Sequence, residues 1–160
     1  MFETRNDLPL ATRTRVVKLL NARLADAIDL GTQVKHAHWN VKGPNFIALH
    51  ELFDKIAESV EDHIDTIAER ATALGGTAHG TLAAVAKTSS LKPYPPGAVD
   101  GQAHLRALVA VLADFGARVR AGIEEAGRLG DADTSDLFTG VSRDLDKQLW
   151  FLEAHLHAKR

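Results

Sequence analysis

Apolar and small residues recur at steps of three and four along most of this 160-residue chain, and no other feature restricts its fold as strongly. In the first stretch the pattern runs through Leu20, Leu24, Ala27, Gly31, Val34 and His38. Comparable runs occupy residues 46–74, 105–123 and 137–156. This period marks one buried face of an α-helix, and no strand alternation of useful length competes with it. The sequence predicts an all-α protein with four amphipathic helices of roughly 25–30 residues, each about 40 Å long.

Helix-breaking residues separate the four predicted helices by connections of unequal length. Residues 41–45 break the first pair, Gly75-Gly76 ends the second helix, and residues 130–134 separate the third helix from the fourth. Asp100 is the predicted N-cap of the third helix. The connection over residues 76–99 is long enough to cross the bundle, and residues 81–87 are predicted to form a short helix within it. Two short connections, with one long crossover between helices 2 and 3, are typical of the ferritin-like four-helix bundle.

Length and composition narrow the class of protein further. The length predicts a single domain over residues 1–160, with a short N-terminal segment (1–9) and a short C-terminal tail (158–160). The chain has no cysteine, which excludes disulfides, thiolate zinc sites and iron–sulfur clusters. A net charge of -2 argues against a surface that binds nucleic acid throughout. No signal-peptide pattern and no apolar run of membrane-spanning length occur, so we expect a cytoplasmic protein without a membrane partner.

The second predicted helix concentrates the acidic residues of the chain. Between residues 46 and 74 it carries Glu51, Asp54, Glu58, Glu61, Asp62, Asp65 and Glu69, opposed only by Lys55 and Arg70. Like charges one turn apart destabilise a helix, so something positive should offset them. One interpretation is a solvated acidic face that binds no metal. The other is a metal site. His50 lies one helical turn before Asp54, and His38 is the last residue of the apolar pattern in the first helix. Carboxylates together with imidazoles are ligands that suit iron(II).

Spacing determines how such a site could be assembled. An antiparallel hairpin of the first two helices lets His38 and His50 face each other, while Asp65 and Glu69 lie one turn apart. Asp54 and Asp65 are separated by eleven residues, about 16 Å along the helix axis, which is too far for one metal. The Glu-x-x-His pattern of an intrasubunit ferritin site does not occur. A two-fold axis would instead set His50 and Asp54 of one chain against Asp65 and Glu69 of an antiparallel copy.

With these motifs the sequence resembles the DNA-protection-during-starvation (Dps) family, the mini-ferritins. The resemblance covers nearly the whole chain and is densest at residues 35–40 (KHAHWN), 43–54, 63–70, 74–76 and 142–147 (SRDLDK). It implies non-haem iron sites between subunits, with His38, His50 and Asp54 from one chain and Asp65 and Glu69 from its two-fold mate. It also implies a hollow dodecamer of two-fold dimers, which oxidises iron(II), preferably with hydrogen peroxide, and stores the ferric mineral against oxidative damage.

Two further assignments remain open from the sequence. Trp39 adjoins a predicted ligand and could intercept stray oxidising equivalents, or it could be an ordinary core aromatic. Asp131, Asp133 and Asp136 could cap the fourth helix, or they could line a three-fold pore for iron, as the matching segment does in the family. The other histidines are expected to be surface or satisfied core residues: His36, His63, His79, His104, His155 and His157.

DNA binding is the alternative function, and the sequence offers few basic residues for it. The segment around Arg5 is balanced by Glu3 and Asp7, and the C-terminal residues 155–160 are only weakly basic. Phosphate neutralisation needs several cations per contact, although many copies on one particle could act together. The alternative is therefore a nucleoid-associated protein that protects DNA mainly by binding it.

Overall fold

The computed structural model describes residues 1–157 and contains five helices and no strand over that range. They are α1 (Leu10–Asn40), α2 (Phe46–Ala73), α3 (Leu82–Thr88), α4 (Gly101–Arg128) and α5 (Ala132–Leu156). The four long helices and the short helix in the crossover confirm the predicted all-α bundle. The C-terminal tail, residues 158–160, belongs to the weakly basic segment considered for DNA binding and lies outside the described residues.

Local signals position the ends of the helices. The Asp100 side chain accepts a hydrogen bond from the Ala103 amide at 2.8 Å, so the predicted N-cap of α4 is confirmed. Gly75 has a φ of 82°, which satisfies the expected break after α2. Gly76 is held close to α1, since a Cβ there would lie 2.4 Å from Val17 Cγ1.

The core lies between two helical hairpins, α1 with α2 and α4 with α5, which pack against each other mainly through α1 and α4. Phe53, Phe115 and Phe138 are completely buried at its centre, one each from α2, α4 and α5. This arrangement buries the apolar seam of every long helix. The opposite faces of α1 and α2 remain exposed, and they carry most of the predicted site residues.

Polar side chains of α1 hold the crossover in place. Asp26 is completely buried, and its Oδ1 accepts hydrogen bonds from the Ser90 amide at 2.8 Å and the Ser90 hydroxyl at 2.9 Å. Arg23 neutralises this carboxylate from 2.8 Å. Gln33 donates to the Lys92 carbonyl oxygen at 3.0 Å. These bonds fix the end of the crossover beside the C-terminal half of α1, where the predicted metal ligands begin.

Candidate metal centre

The hairpin loop over residues 41–45 brings His38 and His50 together at one end of the bundle. The last turn of α1 faces the first turns of α2, and the two imidazole rings stack with centroids 3.7 Å apart and planes at 21°. Nδ1 of His38 lies 2.8 Å from the His50 carbonyl oxygen, and Nδ1 of His50 lies 2.9 Å from the His38 carbonyl oxygen. Because a carbonyl only accepts, both Nδ1 atoms carry a proton. In this tautomer the lone pair of the imidazole is on Nε2, the atom that would bind a metal.

Asp54 lies one turn beyond His50 and is engaged by a cation. Lys35 Nζ lies 2.6 Å from Asp54 Oδ1, and both side chains are partly exposed. The Lys35 hydrogen bond lowers the pKa of Asp54; burial opposes this effect and the nearby His38 adds to it. The carboxylate is thus kept ionised, as a metal ligand must be. Lys35 also supplies part of the positive charge that the acidic helix was expected to need.

Asp65 and Glu69 lie on the same helix, about 16 Å and about 22 Å, respectively, from Asp54 along its axis. Both side chains are exposed, and neither makes a hydrogen bond or ion pair with another residue in the described part of its own chain. Over residues 1–157, no three histidine, aspartate or glutamate side chains are grouped so that they could hold a metal ion. His38 thus neighbours both His50 and Asp54 in one chain, but the three are not arranged as a metal site, and Asp65 and Glu69 lie apart from them.

An open groove of about 660 Å³ runs along α1 and α2, and of the five predicted ligands Asp54 lines it. Its walls include Lys35, Trp39, Asp54, Glu58, Glu61 and Ile64. Trp39 is 68% exposed, so it is not a core aromatic of its own chain. The Lys35 Nζ lies 5.9 Å from the centre of its ring. The carboxylates and apolar groups that line the groove form a surface that a second chain could cover.

The three aspartates at the start of α5 lie in two different environments. Asp131 is 2% exposed, accepts from the Thr134 amide at 3.0 Å, and pairs with Arg70 of α2 at 2.7 Å. This is the capping arrangement that the sequence left open. Asp133 and Asp136 are exposed, and only Asp133 approaches Arg70, at 3.7 Å. These two carboxylates remain for the predicted pore, while Asp131 stabilises the helix start.

Sequence reasoning missed two polar contacts near the acidic helix. Lys35 was not predicted to meet Asp54, although it precedes His38 by one helical turn and so lies on a neighbouring part of the α1 surface. Asp144 of α5 accepts hydrogen bonds from Ser59 and from His63 Nε2, the latter at 3.0 Å. His63 is thus a satisfied residue between α2 and α5, as expected for the histidines outside the site. The Asp144 contact depends on the register of two distant helices, which no local pattern reports.

Comparisons with known proteins agree with this geometry. A family model for the ferritin-like domain matches residues 17–160. A DNA protection during starvation protein from Agrobacterium fabrum is 48% identical over 157 residues, covering 98% of this chain and 97% of that protein. The structure of Mycobacterium smegmatis Dps superposes with a TM-score of 0.93 at 35% identity, covering 99% of this chain and 95% of the other.

A third similar protein is described in terms of its metal chemistry. A Dps protein from Vibrio cholerae O1, described as a member of a broad superfamily of ferritin-like diiron-carboxylate proteins, superposes with a TM-score of 0.90. It is 27% identical, and the superposition covers 98% of both chains. The similarity therefore spans the bundle, the crossover and both groups of predicted ligands. Over residues 1–157, no helix is long and apolar enough to span a membrane.

Proposed function

The chain belongs to the Dps family of ferritin-like proteins, and on this basis we propose that it oxidises iron(II) and stores the ferric product. The observation that supports this most strongly is the His38–His50 pair, in which both Nδ1 protons are bound to carbonyl oxygens. That arrangement leaves the Nε2 lone pairs free, and it places the His38 ring beside the ionised Asp54, with Nδ1 3.9 Å from Oδ1. Two nitrogens and a carboxylate form an incomplete ligand set, which two further carboxylates would complete for iron.

We propose that Asp65 and Glu69 of a second chain complete the set. They are exposed, and their side chains make no hydrogen bond or ion pair in the described part of their own chain. An antiparallel copy packed along the groove would bring them to His38, His50 and Asp54, and the two-fold axis would create two equivalent centres. Six such dimers would form the hollow dodecamer. Asp133 and Asp136 would line its three-fold pores and attract iron(II).

Hydrogen peroxide is the proposed oxidant. The reaction would protect the cell because two iron(II) ions are consumed for each peroxide. Peroxide accepts two electrons, whereas each iron(II) supplies one. Two irons held close together reduce peroxide to water without releasing a hydroxyl radical, and carboxylates favour the harder iron(III) product. Iron that binds Oδ1 of Asp54 would have to displace Lys35, since the ammonium group holds that oxygen at 2.6 Å.

Anaerobic loading with iron(II), followed by peroxide, tests the proposal. We expect rapid oxidation, two irons consumed per peroxide, and a particle mass that corresponds to a filled dodecamer. His38→Ala and Asp65→Ala should abolish the fast phase while the particle remains assembled. Equal rates in these variants and the wild type would contradict the assignment.

DNA binding is the second candidate, and it is favoured by the name of the Agrobacterium fabrum relative. We propose that this chain protects DNA in the cytoplasm by removing iron(II) and peroxide, not by coating the DNA. The net charge of -2 supports that choice. Gel retention of DNA at neutral pH and moderate salt would instead support a nucleoid-bound protein.

A further inference from the structure

The crossover ends in a proline-rich segment, residues 93–98, that has few means of attachment to the bundle. Three of its six residues are prolines, which have no amide hydrogen to donate. Pro93, Pro95 and Pro96 are exposed, and the segment contains no helix or strand. Within residues 1–157, its only hydrogen bond to another segment is made by the Tyr94 hydroxyl. The hydrogen-bonded attachment of the proline-rich segment therefore depends on one side chain.

Tyr94 is anchored by a buried histidine. Its hydroxyl oxygen is 2.6 Å from Nδ1 of His104, in the first turn of α4, and the two rings are stacked with centroids 5.9 Å apart. His104 is completely buried and Tyr94 is partly buried. The Tyr94 ring also packs edge-on against His36 of α1, with centroids 4.9 Å apart and planes at 61°. One side chain thus joins the proline-rich segment to both α1 and α4.

The surroundings of the imidazole determine the direction of this hydrogen bond. The backbone carbonyl of Asn40 favours a proton on His104, and a carbonyl can only accept. Nε2, which has no hydrogen bond of normal geometry within residues 1–157, is therefore assigned the proton. Nδ1 then carries the lone pair and accepts the hydrogen bond from the Tyr94 hydroxyl. This arrangement needs a neutral imidazole, because a second ring proton would occupy the same lone pair.

The charged and titratable groups around His104 together disfavour an imidazolium. Burial is the main cause of its lowered pKa, and His36 of α1 and Lys42 of the α1–α2 loop lower the pKa further. Asp100 at the start of α4 and the Asn40 carbonyl raise the pKa, but they do not outweigh burial. Protonation of His104 therefore costs free energy for as long as the site stays closed.

We propose that His104 is an acid-sensitive latch for the proline-rich segment. While the imidazole is neutral, it holds Tyr94 and keeps the segment against α1 and α4. In acid a proton binds Nδ1, which then no longer accepts the Tyr94 hydroxyl, and a buried imidazolium lies near Lys42. Tyr94 stays a neutral phenol, because burial raises its pKa to about 12. Release of the segment lets the imidazolium reach water.

The direction of the pH response follows from these contacts. In the closed state the pKa of His104 is lowered, and in the released state it returns to its ordinary value of about 6.5. The latch is therefore strongest above about pH 6.5 and weakens as the pH falls from there toward the closed-state pKa. Only a proton is exchanged, so the latch can hold or fail independently of the proposed iron oxidation.

Native-state proteolysis of the assembled, iron-free protein tests the latch. Thermolysin cleaves before apolar residues such as Val99, and a synthetic peptide of residues 91–102 corrects for the pH dependence of the protease. We expect the corrected cleavage rate to rise by up to about 30-fold between about pH 7.5 and about pH 5, the limit for a group with an ordinary pKa near 6.5. Second-derivative absorbance of Tyr94, the only tyrosine, should show greater exposure over the same range. A constant cleavage rate, or loss of helical circular dichroism over the same range, would overturn the proposal.

His104→Asn is the decisive variant, because the asparagine Oδ1 can accept the Tyr94 hydroxyl but does not bind a proton in this range. Its corrected cleavage rate should be the same at both pH values. His36 is unchanged in this variant, so a wild-type acid response would place the sensor elsewhere and overturn the proposal. His79→Asn replaces an exposed histidine of the crossover and is the matched control, which should keep the wild-type response.

Tyr94→Phe keeps the proposal testable if His104→Asn does not assemble. The variant retains the ring but removes the hydrogen bond, so the proline-rich segment should be cleaved faster at neutral pH and the further increase in acid should be smaller. A neutral-pH cleavage rate equal to that of the wild type would show that the hydrogen bond does not hold the segment, which would also overturn the proposal.

Discussion

Nδ1 of His38 and Nδ1 of His50 each donate to the other residue's backbone carbonyl, at 2.8 and 2.9 Å. The two bonds close the α1–α2 hairpin and set the orientation of both rings. They also fix the tautomer, because both protons are held on Nδ1 and both lone pairs remain on Nε2. One pair of contacts therefore stabilises the hairpin and prepares the site for metal.

Replacement of His50 separates these two roles. In His50→Asn the amide nitrogen can still donate to the His38 carbonyl, but no atom replaces Nε2. We expect iron oxidation to lose its fast phase while the free energy of unfolding stays near that of the wild type. His50→Ala should lose the same activity and about 1 kcal/mol of stability, the net value of one hydrogen bond. Peroxide-driven oxidation and urea unfolding of the assembled protein measure the two effects; full activity in His50→Asn would contradict the ligand assignment.

The Lys35–Asp54 ion pair should compete with iron(II). In Lys35→Met we expect tighter anaerobic iron(II) binding at neutral pH, because no ammonium group must be displaced from the carboxylate. Since the Lys35 hydrogen bond is the main cause of the lowered Asp54 pKa, the pKa should rise in the variant. Protons would then compete with iron at a higher pH than in the wild type. Calorimetric titration over acidic to neutral pH measures both effects, with the exposed Lys55→Met as the control; unchanged affinity in Lys35→Met would rule out competition.

Asp131 should contribute stability, whereas Asp133 and Asp136 should contribute to iron uptake. Asp131→Ala leaves Arg70 without its buried partner, and loss of such a partner costs about 3–5 kcal/mol. The double variant Asp133→Asn/Asp136→Asn removes two exposed carboxylates and should leave the melting temperature nearly unchanged. It should slow iron oxidation in the assembled particle. Thermal unfolding and stopped-flow kinetics distinguish the two roles, and unchanged uptake kinetics would remove the pore assignment.

Asp144 should make the free energy of unfolding depend on pH in the acidic range. Burial raises the pKa of this carboxyl, but hydrogen bonds from Ser59 and His63 outweigh burial and hold the pKa below its ordinary value. Its contribution is therefore complete above the unfolded-state pKa of about 3.9 and is lost as the pH falls through the lower folded-state value. We expect the stability difference between the wild type and Asp144→Asn to shrink below about pH 4. A pH-independent difference in chemical unfolding would show that this carboxylate is not the group responsible.

The helices were predictable because their signals are local. Apolar periodicity, the Asp100 cap and the glycines after α2 each act within a few residues, and the structure places the helix ends where these signals occur. The His38–His50 approach was predictable for a related reason, since a five-residue loop leaves an antiparallel hairpin little freedom. The spacing between Asp54 and Asp65 also follows directly from helical geometry.

Contacts between distant segments were not predictable from local patterns. The burial of Asp131 depends on Arg70, which is 61 residues earlier, and a sequence pattern alone could not separate capping from pore lining. The hydrogen bond between the Tyr94 hydroxyl and His104 Nδ1 depends on how the crossover packs beside α4. Trp39 was left open between core and site, because helical periodicity does not reveal which faces remain uncovered in one chain.

Subunit complementation tests the two-chain centre most directly. A variant with His50→Ala and Asp54→Ala is mixed in equal amounts with a variant carrying Asp65→Ala and Glu69→Ala, and the two are unfolded and reassembled together. A mixed dimer regains one complete centre of two, so random pairing should restore about a quarter of the wild-type iron oxidation rate, while each variant alone stays inactive. If the mixed particles assemble and remain as inactive as the separate variants, the ligands are not shared between chains.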